Sequence, residues 1–209
     1  MEIFNLGPHV EIIFAVKGLR SEGIAVSDEL YSFLPEMIVL GISPEEVKGL
    51  LQFVDDPFNV PMGDYEVIYG TILTKFGEVE MPPPMYTQAV IYAKKREVEL
   101  MGLDMDEESY GKAYEDNFNT VDMVRYIRRK RRMMRHTFDL SSPETFVMQW
   151  KELMEDNRSL KKMEETRLNS ILENLNTVLE ENKERRIVAV IEYEMMVPVR
   201  EKYTSEMES

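Results

Sequence analysis

The chain has 209 residues, 44% of them hydrophobic and 31% charged, which suits one ordinary domain with an ample core. A formal net charge of −14 argues against a general nucleic-acid binder, and a mean hydropathy of −0.33 argues against a membrane protein. With no cysteine and only His9 and His136, disulfides, thiolate chemistry and sulfur- or histidine-rich metal sites drop out, leaving only hard cations held by carboxylates.

The opening stretch MEIFNLGPHVEIIF carries acids where a signal peptide carries lysine or arginine, and a cytoplasmic protein is expected. VEIIFAV at 10–16 is short, apolar and β-branched, and predicts a buried strand. A helix is expected over 22–34, ended by Pro35, and a second buried strand over 37–42 (MIVLGI). Ser43-Pro44-Glu45-Glu46 is a helix start: serine as N-cap, proline at the first helical position, Glu46 closing a capping box. That helix stops at Asp55-Asp56-Pro57. Residues 58–77 read equally well as strand or helix. After the rigid Pro82-Pro83-Pro84, a helix is expected over 85–95 and a third strand over 97–103. From 107 to about 136 the pattern is helical, and Ser142-Pro143 opens a further long helical region with a break expected at 156–159. IVAVIEY at 187–193 predicts the last buried strand.

Strands alternating with helices imply an α/β fold, with a mainly parallel central sheet of about four to five strands and helices on both faces. The chain reads as a single domain over 1–209, with a helical insertion at about 107–184 and a long C-terminal helical region. No G-x-G-x-x-G, P-loop or G-x-S-x-G motif follows a strand, so standard nucleotide-binding and serine-hydrolase sites are not expected.

Sites in such sheets lie outside the carboxyl ends of the strands. Those ends carry Lys17, residues 41–43, Asp104 with Asp106, and Glu192 with Glu194. Lys17, Asp104, Glu192 and Glu194 are therefore the candidate catalytic residues, suited to acid/base work or to a divalent cation. The plainer reading, which the surplus of acids favours, is solvated loop residues of a very acidic protein. Seven of the 25 basic residues fall between positions 125 and 135, leaving 18 against 39 acids elsewhere. Read as a helix at about 100° per residue, this segment puts Arg125, Arg128, Arg129, Arg132, Arg135 and His136 on one face and Val124, Ile127 and Met134 on the opposite one. That face suits an acidic protein or a phosphate ligand, or pairing with the chain's own carboxylates. Arg167 interrupts an apolar stripe, so it is expected either in a cleft, paired with Asp104, or at a boundary, reaching water. The sixteen methionines read as adaptable core filler.

VEIIFAVK at 10–17, EMIVLGISPEEVKGL at 36–50, the helix and strand over 86–104, the helix over 162–175 and the strand and helix over 186–203 occur in an order that resembles the TraB/PrgY/GumN family. That family is related to the Tiki proteins and the erythromycin-esterase and ChaN-like group. The resemblance implies an α/β fold and, in active members, a metal-dependent hydrolase or protease that uses two histidines and a glutamate. The motif positions depart from the family here. The first G-x-x-H reads Phe14-Ala15-Val16-Lys17, the strand glutamate falls on Gly41, and the arginine after Asp104 falls on Met105. The E-R motif reads Thr166-Arg167, and the last G-x-x-H reads Glu192-Tyr193-Glu194-Met195. The expectation is a TraB-like pseudoenzyme without cofactor or transition metal, acting by binding or self-association. A homodimer is expected, with the stripe over 143–183 buried across a two-fold axis. The alternatives are a divalent-cation-dependent hydrolase at the strand ends, and phosphate or nucleic-acid binding through the arginine helix.

Overall fold

The computed structural model describes residues 1–118 and 129–207. Five strands form one sheet: β1 (Glu2–Asn5), β2 (Val10–Ala15), β3 (Met37–Leu40), β4 (Glu99–Gly102) and β5 (Ile187–Glu192). Their spatial order is β1-β2-β5-β3-β4; every pairing is parallel except that of β1 with β2. The last strand thus lies at the centre, between the second and the third. β1 was not expected from the sequence. It is an edge strand whose residues are half-buried or exposed, held by antiparallel pairing of Glu2–Asn5 with residues 11–14.

The helices are α1 (Arg20–Phe33), α2 (Pro44–Asp55), α3 (Asp64–Leu73), α4 (Pro84–Arg96), α5 (Glu107–Asn117), α6 (Pro143–Glu155), α7 (Arg158–Glu181) and α8 (Met196–Met207). Five of these starts, those of α2, α3, α5, α6 and α7, are set by side-chain oxygens that take up orphan backbone N–H groups. Ser43 Oγ accepts from Glu46 N at 3.1 Å while Glu46 Oε2 accepts from Ser43 N at 2.9 Å. Asp106, Ser142 and Asn157 cap α5, α6 and α7 in the same way. The ambiguous stretch 58–77 contains α3, which starts where Glu66 accepts from Gly63 N at 2.6 Å.

Each central strand sends alternate side chains to opposite faces, which gives two cores. Ile13, Ile38, Leu40, Val188 and Val190 pack under α1, α2 and α4. Ile12, Phe14, Val39, Ala189 and Ile191 pack under α3, α6, α7 and α8. Gly23 lets α1 approach α4 closely, since a Cβ there would stand 2.5 Å from Pro84. Trp150 lies in an aromatic cluster with Tyr65, Tyr69, Phe138 and Phe146, ring centroids 5.3–6.5 Å apart. α5 buries no residue in either core and leans on α7 instead. Among the described residues no helix is long and apolar enough to cross a membrane.

Candidate functional site

The parallel strands deliver their carboxyl ends to one edge of the sheet, and short backbone bonds fix the loops that follow. Gly41 N donates to Val190 O at 2.9 Å, Leu103 N to Leu40 O at 2.8 Å and Asp104 N to Ile42 O at 3.1 Å. Gly102 makes this last approach feasible: a Cβ there would lie 2.6 Å from Ile42 O. The chain leaves β3 toward α2 on one face, while on the other the end of β4 meets α7 through Asp104 and Arg167. A crevice opens between them, the usual place for a site in an open α/β sheet.

Two ion pairs form its floor. Lys17 Nζ meets Glu192 Oε1 at 3.0 Å across the β2–β5 ladder. Arg167 Nε on α7 meets Asp104 Oδ2 at 2.7 Å, and its Nη1 meets Glu164 Oε2 at 3.1 Å. The second oxygen of Asp104 accepts from Met105 N at 2.8 Å. Tyr69 OH on α3 donates to Lys17 O at 3.2 Å. Lys17, Asp104, Glu192, Glu194 and Arg167 are therefore brought to one site, with Arg167 in the cleft rather than at a boundary.

Each charge is set by a contest between burial and its neighbours. The Glu192 carboxylate holds the Lys17 ammonium above its ordinary value, against burial. Burial opposes the charge of Arg167, but Glu164, Glu192 and Asp104 outweigh it and hold the guanidinium firmly charged. Burial also opposes the charge of Glu192, and Lys17 and Arg167 win there too, lowering its carboxyl. Glu194 fares differently: burial and then the Glu192 charge push it up to about 7. Its Oε2 is out of solvent and has no hydrogen-bond partner. The Tyr86 hydroxyl is also buried and unpartnered, held well above the ordinary phenol range by burial and the nearby Glu192.

Two chambers lie over this floor and share Lys17, Leu160, Glu164 and Arg167 in their linings. The outer one, of about 860 Å³, runs between the start of α2 (Ser43, Glu45, Glu46) and a wall made by Met105, Tyr110, Tyr114, Phe118 and Met163. The inner one, of about 220 Å³, reaches Trp150, Lys151, Glu192 and Glu194. Tyr114 and Phe118 stack with centroids 4.5 Å apart. Glu164 and the aromatic wall were not anticipated from the sequence. The available signals were a glutamate three residues before Arg167, and aromatics at 110, 114 and 118, spaced by four on a polar helix.

The arginine segment stands apart from the cleft. Arg129 donates to Met154 O at 2.6 Å and Arg132 pairs with Asp156 at 3.0 Å, while Arg135 is exposed. Val124, Arg125, Ile127 and Arg128 lie outside the described residues. The apolar position near the end of this segment is Met133, fully buried, and Met134 is 65% exposed, so the face assigned to Met134 is corrected. Met133 joins the core with Phe138, Phe146 and Trp150, and burial of that side chain sets which face turns inward.

Lys17, Gly41 and Met195 at the strand ends offer no histidine or carboxylate to a metal. Among the described residues, no group of three histidine, cysteine, aspartate or glutamate side chains stands together as a metal site. No family model and no curated protein matches this chain.

Proposed function

We propose that this chain is a non-catalytic, TraB-like α/β domain that works by binding, with the strand-end cleft as its binding site. The observation that carries the proposal is the state of the cleft floor. Lys17 and Arg167 are each held by a buried carboxylate, at 3.0 and 2.7 Å, so the charged groups brace one another beneath a preformed chamber. At about 860 Å³ that chamber has the size of a small-molecule site. Self-association has less support, because the stripe that implied it is turned inward. Phe146, Val147, Trp150, Ile171, Leu175 and Val178 are all buried within the chain.

Leu160 lines both chambers and is only partly buried, so Leu160→Trp narrows the cleft without disturbing a core. A fragment set of mixed charge is screened by thermal shift against the native chain and this variant. Fragments that raise the melting temperature of the native chain alone are expected. A screen with no such fragment overturns the proposal.

One observation favours a second reading, an enzyme with a carboxylate site. A glutamate pushed up to about 7 in a cleft is placed to exchange protons near neutral pH. Ester or peptide hydrolysis dependent on magnesium or manganese, and lost in Glu194→Gln, would replace the binding reading. Phosphate binding at Arg129 and Arg132 has the weaker case, since both arginines already hold partners within the chain.

A further inference from the structure

Granted that the cleft is a binding site, we infer that its ligand is an organic polycation of polyamine type, with ammonium groups separated by methylene chains. Three independent features point to that chemistry.

The first is charge. Among the described residues the two chambers are lined by nine acids against three cations. Two of those cations, Lys17 and Arg167, are already paired. An anionic ligand meets no free positive group on the floor. The N-terminus of α2 would attract an anion, but Ser43 and Glu46 already occupy it through the capping box.

The second is a pair of unused acceptors, one on a lining residue of each chamber. Glu45, which lines the outer chamber, and Glu194, which lines the inner one, each keep one carboxylate oxygen, Oε2, turned out of solvent and without a donor. A carboxylate oxygen stripped of water and left without a donor is costly, and the natural relief is a turn of the side chain into the chamber to meet an N–H of the ligand. The two glutamates line different chambers, which calls for donors at both ends of an extended molecule.

The third is the far wall of the outer chamber. The stacked Tyr114–Phe118 pair, Tyr110 and Met163 give an apolar and aromatic wall. Methylene segments bury against such a wall, and ammonium groups are attracted to the ring faces. A metal ion or a fully hydrated cation gains nothing from it.

The test is isothermal titration of the full chain with spermidine, with 1,8-octanediol as the neutral analogue and suberate as the anionic one. Magnesium at equal ionic strength controls for screening. Spermidine is expected to bind with neither analogue doing so, and Glu45→Gln and Glu194→Gln are each expected to weaken it at least about tenfold, the value of one charge-assisted hydrogen bond. Tyr114→Ala is expected to weaken it as well. Both glutamine variants keep the side-chain shape, and circular dichroism confirms that they fold. Spermidine binding that magnesium abolishes and the variants leave unchanged would be surface screening and overturns the inference. Binding of a neutral or anionic fragment, lost in Leu160→Trp, with none of spermidine, overturns the polycation and leaves the binding site standing. If no compound of any charge binds, both fall.

Discussion

Replacing Arg167 with methionine keeps its length on α7 and deletes its charge. Asp104 is then left 6% exposed with a single donor, Met105 N at 2.8 Å. Breaking a buried pair from one side costs about 3–5 kcal/mol, because an uncompensated charge stays behind. Arg167 is itself 19% exposed, so water can reach the gap, and the lower end applies: about 3 kcal/mol. In a domain of this size that lowers the melting temperature by about 6–12 °C. Combining Arg167→Met with Asp104→Asn removes the orphaned charge, since an asparagine still accepts from Met105 N. The double variant is expected to recover about 2 kcal/mol relative to the sum of the single changes. Urea unfolding of the four proteins at pH 7 measures this directly. A single-variant cost below about 1 kcal/mol, or strict additivity, would refute the idea that the pair is a desolvated unit holding α7 to the end of β4.

Glu194 ties stability to pH. Its carboxyl is raised from 4.5 to about 7, so the folded state binds the proton more tightly and stability falls as pH rises across that window. The loss is at most about 3 kcal/mol. Glu194→Gln is expected to match the native chain near pH 4.5 and exceed it at pH 8; a less stable variant at pH 8 would be the contrary result. The charged and titratable groups around this carboxyl are Glu192, Lys17, Glu164 and Arg167, with Lys151 and Glu155 from α6 and Tyr69 from α3. Ser43→Ala removes half of the capping box and is expected to cost about 1 kcal/mol, with Ser43→Asp restoring it, as followed by thermal unfolding. Gly102→Ala forces a Cβ to within 2.6 Å of the Ile42 carbonyl and is expected to cost about 3 kcal/mol or more. Gly49→Ala, inside α2 with nothing within 4 Å, serves as the opposite control and is expected to stabilise by up to about 1 kcal/mol.

Most of the sheet is legible in the sequence because the buried strands β2, β3 and β5 are continuous apolar, largely β-branched runs, while the edge strand β4 is marked by its place between a helix and Asp104. The runs at 10–16, 37–42, 97–103 and 187–193 coincide with β2, β3, β4 and β5 to within one or two residues. β1 is not legible: four residues with no apolar run and only half-buried sides owe their extended form to β2. α3 carries Val67, Ile68 and Ile72, so its local preference leans toward strand, while packing of Tyr65 and Leu73 decides for helix. In the site, the Arg167–Asp104 pair is legible because a cation in an apolar stripe needs a carboxylate. The aromatic wall is not, because its residues sit on a helix that buries nothing and looks like ordinary surface. Strand order leaves no local trace at all.

That order has a consequence for how the chain is made. β2 and β3 are synthesised early, yet in the finished sheet each hydrogen-bonds to β5, whose residues emerge only after position 186. Until then the two apolar strands have open edges facing one another, with more than a hundred residues still to come before their shared partner. Nascent chains halted before residue 187 should therefore be sensitive to protease and prone to associate, whereas chains carrying β5 should not. β5 acts as a keystone.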